Sequence, residues 1–271
     1  MPSEATLAVA LADQAGKHGL ALFGLLLVLL LVAVMLLWRA HWRWGVPKET
    51  SRLPPAAFLL LRIAIGFGLI VGGAAVVAEL AEGLGANRSM GFVDTALGAA
   101  LRASVPLPAL QAFAFVTQLG NPPTVIVVCT LVAAGLLWRG RRWLALAWIV
   151  AVAGNGLLNA TLKVVFARAR PPHEGGLVIA EGYSFPSGHA SGAVVVFGML
   201  AYLAVRLLPR RWHLPALLVG SALAFTTGSS RVFLQVHYAS DVLAGFASGT
   251  AWLAVCIFSV EMTRWYRRSR A

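Results

Sequence analysis

The run from Leu20 to Trp38 contains no charged side chain and is built almost wholly from Leu, Val, Ala and Phe. About 20 apolar residues cross the hydrocarbon core of a bilayer, and a helix satisfies its own backbone polar groups there. Further apolar runs cover residues 56–79, 123–138, 143–165, 189–207, 213–230 and 238–260. The sequence therefore predicts an all-α fold, a polytopic bundle of transmembrane helices.

Composition supports a membrane protein over a nucleic-acid-binding protein. Only 12% of the residues are charged, against about a quarter in a typical soluble domain. The net charge of +12 would suggest nucleic acid in a soluble protein, but here the basic residues cluster between apolar runs. This is the pattern of membrane proteins with basic cytoplasmic loops. We therefore expect the lipid bilayer as a partner, and no nucleic acid.

The distribution of Lys and Arg predicts the orientation. Fifteen of the 22 lie in the segments 39–62, 139–142, 206–213 and 262–271, which alternate spans bring to one side. That side is expected to be cytoplasmic. We expect a multi-pass protein of the inner (cytoplasmic) membrane, with its C-terminus in the cytoplasm and its unusual polar segments facing the periplasm or cell exterior.

Residues 80–121 break the apolar pattern with several charges, including Asp94 and Arg102. Apolar residues spaced three and four apart favour amphipathic helices on the membrane surface. A helical hairpin packed on the bundle has the same spacing and remains an alternative.

The first of three segments with unusual chemistry extends from Lys163 to Pro172. A cation near the end of a span is costly in lipid unless it faces a cavity or a partner. Lys163 and Arg170 are seven residues apart, so on a helix they share a face. Each cation alone is also compatible with a side chain extending to the interface, which we expect for Arg168.

The second segment reads Pro-Ser-Gly-His at the start of the fifth apolar run, with Ser187, Gly188 and His189. Free N–H groups and the helix dipole form an anion site at a helix start. His189 is the titratable group here that can donate a proton near neutral pH. Taken alone, the segment is better explained by an N-capping serine followed by an interfacial histidine.

The third segment contains Arg231, His237 and Asp241. His237 and Asp241 are four residues apart and would be neighbours on one helical face. A carboxylate beside an imidazole fixes its tautomer and leaves the other ring nitrogen as a nucleophile or base. A structural His–Asp pair that links two helices is the alternative.

Together the segments supply three cations, a hydroxyl, helix N-terminal amides, two histidines and one carboxylate. Cations and N–H donors are what the oxygens of a phosphoryl group require. The sequence contains no cysteine or carboxylate cluster and no HExxH motif, so we expect no metal and no other cofactor.

In order, the segments read K-x6-RP, PSGH and SR-x5-H-x3-D. They resemble the three-part signature of the type 2 phosphatidic acid phosphatase superfamily, in its membrane lipid phosphatase branch. The resemblance covers about residues 57–260 and implies a six-helix core, to which the first apolar run adds one N-terminal transmembrane helix. It implies that His237 is the nucleophile, that Asp241 orients it and that His189 is the general acid. It also implies that the substrate phosphate is bound, without metal, by Lys163, Arg170, Ser187, Gly188 and Arg231.

We accordingly expect an N-terminal segment at 1–55, with one transmembrane helix and a basic cytoplasmic loop, and a lipid phosphatase membrane domain at 56–271. The expected activity is hydrolysis of a lipid phosphate or pyrophosphate at the outer leaflet through a phosphohistidine, with undecaprenyl pyrophosphate the favoured substrate. Phosphatidylglycerophosphate, broad phosphatidic acid hydrolysis and lipid phosphotransfer remain alternatives. Vanadate-dependent haloperoxidases share the signature but are soluble. A transporter or lipid-binding protein would need the cations but not the two histidines and the carboxylate.

Overall fold

The computed structural model describes residues 4–44, 55–83, 89–172 and 176–268. Throughout these ranges the regular elements are helical, which confirms the predicted class. Short 3-10 turns occur at Thr117–Gly120 and Arg210–Trp212. The α-helices are α1 (Glu4–Lys17), α2 (Gly19–Trp44), α3 (Pro55–Glu82), α4 (Ser89–Ser104), α5 (Leu107–Val116), α6 (Pro122–Trp138), α7 (Arg142–Phe166), α8 (Gly188–Leu207), α9 (His213–Phe233) and α10 (Ala239–Arg268).

Six of these helices are long and apolar enough to cross a bilayer, namely α2, α3, α7, α8, α9 and α10. They correspond to six of the seven predicted spans. The remaining predicted span is α6, whose 17 residues extend about 26 Å, somewhat less than a hydrocarbon core of about 30 Å. Helices α4 and α5 together are also apolar enough, but they meet at an angle of 116°.

Helix α8 lies at the centre of the bundle and packs against α7, α9 and α10. Half of its most apolar stretch is buried, whereas none of the corresponding stretch of α2 is. Two glycines let α10 approach α8 closely. A Cβ at Gly245 would lie 2.6 Å from the Ser187 carbonyl oxygen, and one at Gly249 would lie 2.8 Å from that of Ser191. This approach brings the N-terminal ends of the two helices together.

The segment 80–121, as far as it is described, packs on the bundle rather than lying apart on a surface. Helix α4 packs against α1, and α5 against α9. Leu101 and Phe113 are buried in one cluster with Phe233. The alternative of a packed hairpin is therefore the one that the structure supports.

The extra N-terminal helix α2 also packs on the bundle. Phe23 stacks on Phe225 and meets Phe113 and Phe233 edge to face. The predicted domain boundary at residue 55 coincides with the first residue of α3, whereas most of the predicted basic loop falls at residues 45–54, outside the described ranges.

Candidate functional site

The first predicted segment begins in the last turn of α7 and continues into a loop. Lys163 is in the helix, but Ala167 adopts a left-handed conformation (φ 44°) and ends it. Arg170 therefore lies in the loop, and the prediction that it shares a helical face with Lys163 is wrong. The two cations converge nonetheless, because the Lys163 ammonium and the Arg170 guanidinium both donate to the Tyr183 carbonyl.

Arg170 ties this loop to the third segment. Its Nε donates to the carbonyls of Glu181 and Gly182, at 3.2 and 3.0 Å. Its Nη1 donates to the Val236 carbonyl at 2.7 Å and lies 3.1 Å from Nε2 of His237. The guanidinium thus sits directly against the imidazole that was predicted to be the nucleophile.

His237 and Asp241 are in contact, but not along one helix. Helix α10 begins at Ala239, so His237 precedes it. The Asp241 carboxylate reaches back past the helix start, where Oδ2 accepts the Tyr238 N–H at 2.9 Å and lies 3.3 Å from His237 Nδ1. This resembles the acidic half of a capping box. The expectation of a shared helical face is therefore wrong, although the pair itself forms.

The hydrogen bonds of His237 define its tautomer. A carboxylate oxygen only accepts, so Nδ1 carries the proton and Nε2 has the lone pair. Burial lowers the pKa of His237 to about 4, the Asp241 carboxylate partly offsets this, and the cations Arg170 and Lys163 lower it further. The imidazole is thus neutral at physiological pH, as a nucleophile must be.

Ser187 is the N-cap of α8, as the alternative interpretation of this segment expected. Its Oγ accepts the Ala190 N–H at 3.4 Å, and its own N–H donates to the Asp241 carbonyl at 2.9 Å. A Cβ on the next residue, Gly188, would lie 2.9 Å from Oδ1 of Asn159. The positive end of α8 is therefore fixed beside the start of α10.

His189 ends a directional chain of hydrogen bonds from the 3-10 turn after α5. Gln118 Nε2 donates to the Ala114 carbonyl, and Asn121 Nδ2 donates to Gln118 Oε1 at 2.5 Å. Asn121 Oδ1 is therefore the acceptor that lies 2.8 Å from His189 Nε2. Nε2 of His189 consequently carries a proton that it donates to Asn121, which leaves Nδ1 as the ring atom able to exchange a proton with a substrate.

Arg231 is buried in α9, with only 3% of its surface exposed. Its Nη1 donates to Thr117 Oγ1 at 2.8 Å, whereas its Nε is buried without a partner among the described residues. Sequence reasoning missed Thr117, Gln118 and Asn121. These polar residues carry no motif, and only their contacts with Arg231 and His189 identify them.

Arg168 was expected to extend to the interface, and the structure shows that this is wrong. Its Nη1 lies 2.6 Å from Oδ1 of Asp241, and its Nη2 lies 2.9 Å from Oδ2 of Asp94. Two carboxylates that need a cation keep its side chain inside the protein.

The four cations thus differ in their pairing. Arg168 is neutralised by carboxylates, whereas Lys163, Arg170 and Arg231 form no ion pair with any carboxylate of the described residues. The site has an excess of positive charge beside the His237 imidazole, which Arg170 contacts, and all eight predicted site residues lie at the adjoining ends of α7 to α10 or in the loops that follow or precede them. Such a site attracts an anion with several oxygens.

Fold and site together define a polytopic helical membrane protein with an anion-attracting histidine site. Residues 142–265 match the family described as the PAP2 superfamily. This match includes all three of the sequence segments and confirms their predicted resemblance to the superfamily.

The relatives are named as lipid phosphatases. The chain is 32% identical over 136 residues to phosphatidylglycerophosphatase B of Bacillus subtilis, covering 49% of this chain and 66% of that protein. It is 33% identical over 122 residues to a lipid A 1-phosphatase of Rhizobium johnstonii, covering 42% of this chain and 46% of that protein. Less than two thirds of either relative is therefore covered.

Among solved structures, the fold is similar to the crystal structure of a transmembrane PAP2-type phosphatidylglycerolphosphate phosphatase from Bacillus subtilis. The TM-score is 0.68 at 26% identity, over 72% of this chain and 97% of that one. The likeness extends well beyond residues 142–265 and confirms the predicted helical membrane fold.

Proposed function

We propose that the protein hydrolyses the phosphate of a membrane lipid through a phosphohistidine on His237. The observation that carries this proposal is an imidazole with an unprotonated Nε2 against the Arg170 guanidinium, in a site where three cations have no carboxylate partner among the described residues. A site that only bound phosphate would need the cations but not an imidazole with a free lone pair. The relatives named as lipid phosphatases support the same activity.

In the first step, the substrate phosphate takes the place of the Arg170 contact at His237 Nε2. Nε2 bonds to phosphorus, and the bond from phosphorus to the lipid oxygen breaks. His189, as an imidazolium, gives its Nδ1 proton to that leaving oxygen and becomes a neutral imidazole. The cations, Ser187 and the first amides of α8 bind the non-bridging oxygens, whose charge persists through the transition state.

In the second step, water attacks the phosphohistidine. His189, now a neutral imidazole, takes a proton from the water on Nδ1, and the phosphorus–nitrogen bond breaks to return the electron pair to His237. Asp241 stabilises the imidazole while it carries the phosphoryl group. The products are a lipid alcohol and inorganic phosphate. A lipid hydroxyl in place of water would make the same residues a phosphotransferase.

The substrate is a lipid with a terminal phosphate. Phosphatidylglycerophosphate ranks first, because a relative and a structural neighbour are named for it. Undecaprenyl pyrophosphate ranks second, because the basic segments support a site on the outer leaflet of the inner membrane, with a cytoplasmic C-terminus. Labelling of Glu181→Cys by a membrane-impermeant thiol reagent in intact cells tests that orientation. Absence of labelling, with labelling after lysis, would contradict it.

The activity is tested by phosphate release from a panel of lipids in detergent with EDTA present. The panel comprises phosphatidylglycerophosphate, undecaprenyl pyrophosphate and phosphatidic acid. We expect release from at least one, no loss in EDTA, and no release by His237→Ala. Asp13→Asn, which removes an exposed carboxylate paired with Lys17, is the control and retains activity. No release from any lipid, or undiminished release by folded His237→Ala, would contradict the proposal. Transfer to a lipid acceptor without free phosphate would favour the phosphotransferase.

A further inference from the structure

Asp94 is a buried carboxylate on α4, outside the segment that matches the superfamily. Only 4% of its surface is exposed. Carboxylates are almost never buried unless they are paired, because their desolvation is costly. The partners of Asp94 therefore show what keeps it inside the protein.

The partners of Asp94 all belong to the candidate site. Oδ1 accepts the backbone N–H of Ser240 at 3.1 Å. Oδ2 accepts from Nη2 of Arg168 at 2.9 Å and from the Ser240 hydroxyl. Asp94 thus holds the second residue of α10 and one arm of the Arg168 guanidinium.

The other arm of Arg168 contacts the carboxylate beside the nucleophile. Nη1 donates to Asp241 Oδ1 at 2.6 Å and to the Ser240 hydroxyl at 2.7 Å. The guanidinium also lies over the Tyr238 ring, 4.2 Å from its centre. The two oxygens of the Asp241 carboxylate therefore have different partners: Oδ1 accepts from Arg168, and Oδ2 faces His237. A continuous line of contacts runs from Asp94 through Arg168 and Asp241 to His237.

We propose that Asp94 is a positioning residue for phosphoryl transfer, acting on His237 through Arg168 and Asp241. The inference rests on the proposed function. Asp241 can orient His237 only while its own rotamer is fixed, and its Oδ1 is fixed by Arg168. Arg168 in turn keeps its place because Asp94 accepts from its second arm. Catalytic side chains keep their productive geometry only when neighbouring residues fix their rotamers through packing and hydrogen bonds.

The planar fork of Arg168 is essential to this arrangement. One nitrogen serves Asp241 and the other serves Asp94, with the Ser240 hydroxyl between them. A lysine carries the same charge but has a single ammonium and no fixed fork. Arg168→Lys therefore keeps the local charge while it weakens the link between the two carboxylates.

The test compares Asp94→Asn, Arg168→Lys and the double variant in the phosphate-release assay. Each single variant should lower kcat by roughly 10- to 100-fold, the loss typical of groups that orient a reactive ligand. KM should change little, because the three phosphate-binding cations are untouched. The double variant should be about as slow as the slower single variant, since both changes break one link.

Glu261→Gln is the matched control, because Glu261 is also a carboxylate of an arginine network on α10. It pairs with Arg206 and Arg264, far along the helix from the site. Its removal should leave kcat unchanged. Vanadate titration counts the folded sites in each sample, so that a loss of folded protein is separated from a slower reaction.

The outcomes separate this inference from the proposed function. If wild-type protein releases no phosphate, or His237→Ala remains active, the proposed function fails. If wild-type is active and His237→Ala is not, but Asp94→Asn keeps its kcat per folded site, the inference alone is overturned. If Asp94→Asn does not fold, Arg168→Lys decides, and an unchanged kcat there overturns the inference. An increase in KM at constant kcat would likewise overturn it.

Discussion

The two most deeply placed arginines of the site should respond in opposite ways to replacement by methionine. Arg231 is 3% exposed, has no carboxylate partner among the described residues and donates from Nη1 to Thr117. Arg168 has a side chain 11% exposed and lies between Asp94 and Asp241. Methionine approximates the length of the arginine stem and removes the charge in both cases.

The expected stabilities follow from what each change leaves behind. Arg231→Met removes a desolvated charge whose burial costs several kcal/mol, and it loses one hydrogen bond of about 1 kcal/mol. Its free energy of unfolding should be unchanged or higher by about 1–3 kcal/mol. Arg168→Met leaves two carboxylates buried without their cation and should lower the free energy of unfolding by about 3–5 kcal/mol.

Both variants should nevertheless lose activity. Arg231→Met removes a preorganised donor to the phosphoryl oxygens, a loss worth about 100- to 1000-fold in kcat. Thermal unfolding in detergent, followed by the fluorescence of the nine tryptophans, gives the stabilities, and phosphate release gives the rates. If Arg231→Met were destabilised as strongly as Arg168→Met, Arg231 would have to be charge-paired in the native protein, which would refute the reasoning.

Three further measurements test other parts of the site. Since the pKa of His237 is lowered to about 4, kcat/KM should begin to fall only as the pH drops through about 4, where protonation of His237 stops the reaction. Two substrates whose phosphates have different pKa values distinguish the titration of His237 from that of the substrate. A fall in kcat/KM near pH 6.5 with both substrates would contradict burial as the main cause of the lowered pKa of His237. Asn121→Leu removes the acceptor of the His189 Nε2 hydrogen bond and should lower kcat for phosphate release by roughly tenfold at nearly constant KM. A change in KM alone would contradict a role of Asn121 in orienting His189. Gly245→Ala places a Cβ 2.6 Å from the Ser187 carbonyl oxygen and should lower the free energy of unfolding by about 1–3 kcal/mol, measured by thermal unfolding. Gly72→Ala is the control, because a Cβ there meets open space and should not destabilise the protein. Equal stability of the two variants would contradict close packing of α8 and α10.

The sequence allowed the bundle to be predicted, and it allowed the residues that the structure brings together to be proposed as one site, because both depend on local patterns. Apolar runs of span length identify the helices, and Ser187 marks the start of α8. An isolated carboxylate such as Asp241 in an apolar run demands a partner, which led to His237.

The local geometry was predicted less well. Spacing of four and seven residues suggested shared helical faces for His237 with Asp241 and for Lys163 with Arg170. Helix α7 ends at Phe166 and α10 begins at Ala239, so one member of each pair, Arg170 or His237, lies in a loop. Spacing alone does not show where a helix ends.

The supporting residues could not be predicted, because their contacts span long separations in sequence. Asp94 meets Arg168 across 74 positions, and Thr117 meets Arg231 across 114. Neither Asp94 nor Thr117 lies in a motif, and an acid on an amphipathic helix is ordinarily solvated. Only the packing of α4 and α5 on the bundle turns them inward.

The central claim is that His237 carries the phosphoryl group. An aryl phosphate with a good leaving group, radiolabelled in its phosphate, reacts without the help of a general acid, so His189→Ala should accumulate the intermediate. We expect a burst of the aryl alcohol and an alkali-stable, acid-labile label on His237, with neither in the His189→Ala/His237→Ala double variant. Steady turnover by the His189→Ala variant with no burst and no label would contradict a phosphohistidine and favour direct attack by water.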